Sequence, residues 1–163
     1  MQPRMKSPVF ELPGTREALL TIFKATEKTG VPRATLELVH ARVGQINGCS
    51  VCVDIHSREL AHAGESSERV LTVAAWRETP YFTDAERAAL ALTEAATRLA
   101  DRPDPVPDAV WDEAALHYTE AQLAALVVAI ATINAFNRMN VATRQISGEW
   151  VDRIAQQSVA QAA

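Results

Sequence analysis

Apolar residues recur at three- and four-residue spacing along almost the whole chain, while period-two alternation of β-branched residues is missing. Ala, Leu and Glu dominate, so the pattern predicts helices and no strands. Thr15 to Thr29 reads as a first helix, opened by Pro13-Gly14 and closed by Gly30. Pro32 suits a first helical turn and begins a second helix, with Leu36, Val39, Val43 and Ile46 as its buried stripe. Asn47-Gly48 ends it, because both residues tolerate the left-handed conformation that stops helices. A third helix runs from about Cys49 to Ala63 and stops at Gly64.

Ser66 or Ser67 caps a short helix reaching about Ala75. Thr83-Asp84-Ala85-Glu86 has the form of a capping box and launches a helix to Leu99. Asp101 to Pro107 is a Pro-rich connection, short enough for a loop inside a domain. Asp108 is expected to cap Ala109 to His117, and Thr119 to Gln122 is a second capping box, before a long apolar helix through Asn140. A last amphipathic helix ends in the small polar tail Gln156 to Ala163. The expectation is an all-α bundle of about six to seven helices, forming a single domain over residues 1–163.

Composition narrows the function. Apolar residues make up 48% of the 163, enough for a proper core and against disorder. A net charge of -4 gives no electrostatic footprint for nucleic acid or an anionic membrane. Met1 to Lys6 carries basic residues with no apolar run behind it, unlike a secretory signal, and the apolar run Leu123 to Ile133 is too short to span a bilayer. The expected location is therefore the cytoplasm, with no membrane and no nucleic-acid partner. In that reducing compartment a close cysteine pair points to catalysis, redox chemistry or metal binding rather than a structural staple.

The pair is Cys49-Ser50-Val51-Cys52, with His56 following. On a helix, residues three apart have Cα atoms roughly 5 Å apart, inside the window a disulfide tolerates. His56 lies one turn beyond Cys52 on the same face and leans back toward it, whereas Cys49 is about 10 Å away along the axis. Cys52 thus has a built-in base and Cys49 is placed as its resolving partner, the layout of a dithiol redox site. If the second and third helices fold back across Asn47-Gly48, Glu37 and His56 meet at one level of the hairpin, about 15 Å and about 12 Å from the turn. A carboxylate there fixes the imidazole tautomer and strengthens its near nitrogen as a base. His40, one turn on from Glu37, stands at the right height to join the same pocket as an auxiliary group.

Glu37, then eleven residues, then Cys49-Ser50-Val51-Cys52-Val53-Asp54-Ile55-His56, within the context Gln45-Ile46-Asn47-Gly48, resembles the signature of the AhpD-like alkylhydroperoxidases of the carboxymuconolactone decarboxylase superfamily. Ala74 to Arg77, Phe82 to Leu90 and Ile133 to Arg138 resemble further stretches of that family in the same order. The resemblance implies an all-helical subunit that assembles into a homotrimer or homohexamer and reduces organic hydroperoxides. It makes Cys52 the peroxidatic thiol, Cys49 the resolving thiol, and Glu37 with His56 the proton relay. The redox group is the Cys49–Cys52 disulfide itself, with no bound cofactor and no metal, and the electron donor is an external dithiol or lipoyl-type protein. The family pattern has His directly before the second cysteine, where this chain has Val51. A helix N-terminus also favours a thiolate at Cys49, opposing the assignment of Cys52 as attacker.

Other readings compete. Two cysteines on one helix face can be core, and Cys49, Cys52, His56 and Glu37 could supply four zinc ligands. The uninterrupted helix after Cys49, without a second ligand pair close behind, ranks zinc below redox. Trp76, Phe82, Trp111 and Phe136 read as core or interface, and Asn134, Asn137 and Arg138 as amides and a cation stitching helices or subunits together. Asp54 and Arg58 read as a surface ion pair, His62 and His117 as surface residues, and Glu94 as a candidate polar contact near the site. A disulfide reductase or redox sensor would use the same cysteine pair without peroxidase activity. The superfamily's decarboxylases lack that pair, which argues against a lactone substrate.

Overall fold

The computed structural model describes residues 2–101 and 103–148. They form eight α-helices and one 3₁₀ helix, with no strand among the described residues. The helices are α1 (Pro8–Glu11), α2 (Thr15–Glu27), α3 (Arg33–Asn47), α4 (Ser50–His62), α5 (Ser67–Thr72), α6 (Asp84–Thr97), α7 (Asp108–His117) and α8 (Glu120–Thr143), with the 3₁₀ segment Val73–Glu78 following α5. The all-α expectation holds, and the excess over six to seven helices comes from α1, one turn long and too short to show a period in sequence. The last expected helix and the tail from Gln156 lie outside the described residues.

Both capping boxes form. Thr83 and Glu86 exchange side-chain and backbone hydrogen bonds at the start of α6, and Thr119 and Gln122 do the same for α8. At α7 the expected cap moves by one residue: Pro107 is the N-cap and Asp108 is already helical. Pro107 leaves no amide hydrogen to satisfy, and the Asp108 carboxylate still complements the positive end of the helix.

Helices α3 and α8 are the centre of the bundle: α3 packs against α4, α6 and α8, and α2 lies across α8. Leu126, Ala129 and Ile130 of α8 meet Val39 and Val43 of α3 and Leu92 of α6 in the main core. Trp76 and Phe82 sit in a second cluster with Leu38, Leu60 and Leu90, as expected of core aromatics. Phe136 stacks on Phe23, while Trp111 is 41% exposed and is not a core residue. Helix α8, at 24 residues, is longer than its apolar run suggested and apolar enough by composition to cross a bilayer, yet half of that stretch is buried inside the fold.

Glu94 corrects its expectation. Rather than a site contact, it is an ionic hub: Oε1 accepts from Arg42 Nε (2.8 Å) and Trp76 Nε1 (3.0 Å), and Oε2 from Arg77 (2.7 Å) and Arg98 (3.3 Å). Burial works against its charge, but these donors outweigh it and hold the carboxyl at about 2. The hub ties α3, the 3₁₀ segment and α6 together. Asp54 and Arg58 form the expected surface pair at 2.7 Å. His62 and His117 are exposed.

Candidate active site

The hairpin of α3 and α4 positions the chemistry. Gly48 takes a left-handed conformation (φ 68°), which ends α3 and turns the chain back after Asn47. Gly44 lets the helices close in: a Cβ there would stand 3.2 Å from Val53 N and 3.3 Å from Cys52 Cβ. Cys49 is the N-cap of α4, outside the helix rather than its first residue, and its Sγ accepts from Cys52 N–H at 3.3 Å. The sulfur stands where a cap oxygen usually does.

Cys49 and Cys52 are joined by a disulfide with Cα atoms 5.4 Å apart, matching helical spacing. Both lie in the main core, at 1% and 3% exposure. Val51 is 2% exposed in the same core, so the side chain before the second cysteine faces apolar neighbours and not a polar relay.

One turn further along α4, His56 Nδ1 lies 2.7 Å from Glu37 Oε2. The two helices therefore bring together the residues that hairpin geometry put at one level. Among the described residues no hydrogen bond joins His56 to either sulfur; the bridge draws Cys52 Sγ toward the helix N-terminus, the end away from His56. His40 completes the group, with Nδ1 at 3.9 Å from Glu37 Oε2 and its ring 4.7 Å from that of His56. Its edge also meets Phe23 at 4.9 Å. Burial opposes the charge on Glu37, but the two imidazoles outweigh it and hold the carboxyl well below the usual range. Burial pushes His40 down to about 4, against the pull of Glu37, so the ring is neutral near pH 7.

Sequence reasoning missed Asn140. Its Nδ2 donates to Cys52 Sγ at 3.5 Å and to Cys49 Sγ at 3.7 Å, so α8 supplies the polar partner of the disulfide. The signal was the three-residue repeat Asn134, Asn137, Asn140 on an otherwise apolar helix. The first two do stitch helices: Asn47 Nδ2 donates to Asn134 Oδ1 (2.9 Å) and to Asn137 Oδ1 (3.0 Å), fixing the α3 terminus against α8. Arg138 Nη1 donates to Asn134 Oδ1 at 2.9 Å and stays on the surface.

Two cavities of about 210 Å³ border the group. One is lined by Gly48, Cys49, Ser50 and Asn140. The other is lined by Phe23, Leu36, Glu37, His40 and His56.

Comparison with known proteins agrees with this architecture. A Bacillus subtilis protein, YdfG, itself uncharacterized, is 34% identical over 130 residues, 80% of this chain and 87% of its own length. The alkyl hydroperoxide reductase AhpD of Bradyrhizobium diazoefficiens is 44% identical over 43 residues, 26% of this chain and 24% of that protein. A crystal structure of a protein of unknown function from Agrobacterium tumefaciens, linked to antioxidant defence as an AhpD, superimposes with a TM-score of 0.82 at 29% identity, covering 90% of this chain and 98% of that one. Residues 13–95, which include both cysteines, Glu37, His40 and His56, match the Carboxymuconolactone decarboxylase family. With its helical hairpin, its Cys-x-x-Cys start to α4 and this match, the chain belongs to the carboxymuconolactone decarboxylase family, on its AhpD-like side.

Proposed function

We propose that the protein is a thiol-dependent reductase of organic hydroperoxides. The observation that carries this reading is the buried Cys49–Cys52 bridge one helical turn from a histidine held by a carboxylate. In the reduced protein the Cys52 thiolate attacks the distal peroxide oxygen, the O–O bond breaks, and the alkoxide leaves as an alcohol after taking a proton relayed through His56 and Glu37. Cys52 becomes a sulfenic acid. The Cys49 thiol displaces its hydroxyl as water, forming the disulfide, and an external dithiol of lipoyl type returns the pair to the thiols while it is itself oxidised.

Burial supports a small substrate: cysteines exposed by only 1% and 3% suit a peroxide head of two oxygens better than a disulfide on another protein's surface. The cavity beside Cys49 supports the same division of labour, since a slender dithiol arm entering there meets the resolving sulfur first. His40 is an auxiliary wall of the relay, through its contacts with Glu37 and His56.

Two tests bear on the groups around the sulfurs. Glu37→Gln keeps the shape but loses the charge that orients His56, and kcat/KM for cumene hydroperoxide is expected to fall about 10²-fold. A variant within twofold of wild type would remove Glu37 from the relay. Asn140→Leu removes the amide that faces the sulfurs, so the Cys52 thiol should titrate higher, and reaction with hydroperoxide at neutral pH should slow about tenfold. Thiolate absorbance against pH, with stopped-flow peroxide reduction, reads both effects, and an unmoved thiol pKa would rule the amide out.

A further inference from the structure

We propose that Glu37, His40 and His56 form a three-ligand site for a zinc-class divalent cation, and that the cation, when bound, switches His56 out of its role as a base. The metal site stands on geometry alone; the switching rests on the relay proposed above.

The first support is the donor set. Glu37 and His40 are three residues apart on α3, and His56 faces them from α4, giving one carboxylate and two imidazoles on facing helices. Their ligand atoms all lie within 4.8 Å of one another. Adjacent donors in a tetrahedral zinc site, with bonds of about 2.0–2.2 Å, stand roughly 3.4 Å apart. The Glu37–His56 and Glu37–His40 separations, 2.7 Å and 3.9 Å, bracket that value, so small side-chain rotations bring the three into register.

The second support is independent of the first. Both ring nitrogens of His40 are buried without a hydrogen-bond partner, although its side chain is only 7% exposed. A buried polar ring with no partner is costly, and a metal ion is one of the few partners that a buried lone pair can take up. The side chains of Glu37 and His56 are 12% and 14% exposed, so the group borders the cavity without being open to bulk water. That cavity, about 210 Å³, leaves room for a water or an exogenous ligand in the fourth position, as in an open site. Arg33, which lines the same cavity, is engaged by Glu59 at 2.6 Å rather than by Glu37.

The consequence for His56 follows from its two nitrogens. Glu37 accepts from Nδ1–H and so leaves the lone pair on Nε2, the form able to take a proton. A cation on Nδ1 forces the ring proton onto Nε2, and the ring becomes a donor there. The bound metal and the proton-accepting state of His56 are therefore mutually exclusive.

The test uses the full chain in its disulfide form, so that the thiols cannot bind metal. After chelator treatment, calorimetric titration with Zn²⁺ should show one equivalent bound, weakened at least about 10²-fold in both His40→Ala and the isosteric Glu37→Gln. His62→Ala, a surface control, should bind as wild type does. Long-range proton–nitrogen NMR of the histidine rings should show the His56 proton moving to Nε2 on zinc addition. Absence of saturable binding in wild type, or wild-type affinity in both ligand variants, overturns the site; binding with no change at His56 overturns the switch. Hydroperoxide turnover by the metal-free reduced protein is measured separately, and its absence would fell the peroxidase reading while leaving the metal site standing.

Discussion

Cys52→Ser is expected to abolish hydroperoxide turnover, lowering kcat/KM by at least about 10³-fold. A serine hydroxyl is not ionised near neutrality and is a poor nucleophile toward peroxide oxygen, so neither His56 nor Asn140 can rescue it. Cys49→Ser should behave differently. It should consume one equivalent of hydroperoxide per chain and stop with a sulfenic acid on Cys52, trapped by dimedone and located by mass mapping. The contrast decides between two physical arguments. Cys49 caps α4 and feels the positive end of that helix, which favours a thiolate there, whereas Cys52 has His56 one turn beyond it and Asn140 against its sulfur. If Cys52→Ser retained turnover and Cys49→Ser lost it, the helix terminus would outweigh the side chains and the two roles would exchange.

Glu94→Ala is expected to destabilise the fold by about 3–5 kcal/mol, the cost of leaving buried partners of an ion pair uncompensated. Arg42 is the partner that matters most. Its side chain is 11% exposed and loses its carboxylate outright, while Arg77 and Arg98 are 52% and 39% exposed and can turn to water. The Trp76 indole N–H, also buried, would lose its acceptor. Urea unfolding at neutral pH reads the difference; a loss below about 1 kcal/mol would mean that water replaces the carboxylate, as at an ordinary surface pair. The sign with pH follows from the lowered folded-state value. Stability from Glu94 is complete above the ordinary carboxyl value of 4.5 and is lost as pH falls from there toward about 2. Glu94→Gln should flatten that part of the acid unfolding curve.

Local structure was legible in the chain wherever one short segment contains both partners of an interaction. Thr83 with Glu86, and Thr119 with Gln122, are such pairs, and both boxes form. The turn at Asn47-Gly48 is another, because a left-handed residue there leaves α4 little choice but to fold back along α3. From that turn, helix rise alone put Glu37 opposite His56, without knowledge of any other helix.

What escaped the sequence depends on elements distant along the chain. Asn140 reaches the sulfurs across 88 and 91 residues, and that register is set by how α8 packs on α3, not by a local pattern. Glu94 was read as a polar group near the site, but three arginines, from α3, the 3₁₀ segment and the C-cap of α6, converge on it only in the folded chain. Trp111 was legible only as core or interface, and the 41% exposure that α7 leaves it removes the first of these.

The place of Cys49 at the head of α4 ties the protein's redox balance to the integrity of one helical turn. The sulfur that caps the helix is also half of the reducible bond, so the cap belongs to the disulfide in one state and to a free thiol or thiolate in the other. By a thermodynamic cycle, any difference in folding free energy between the oxidised and reduced chains equals the difference between the disulfide's stability in the folded and unfolded states. A substitution that frays the first turn of α4, though it touches neither sulfur, therefore shifts the midpoint potential whenever the two states rely on that turn unequally. Referred to the potential of the unfolded chain, the midpoint potential of the folded protein and its chemical denaturation in the two redox states thus report the same quantity.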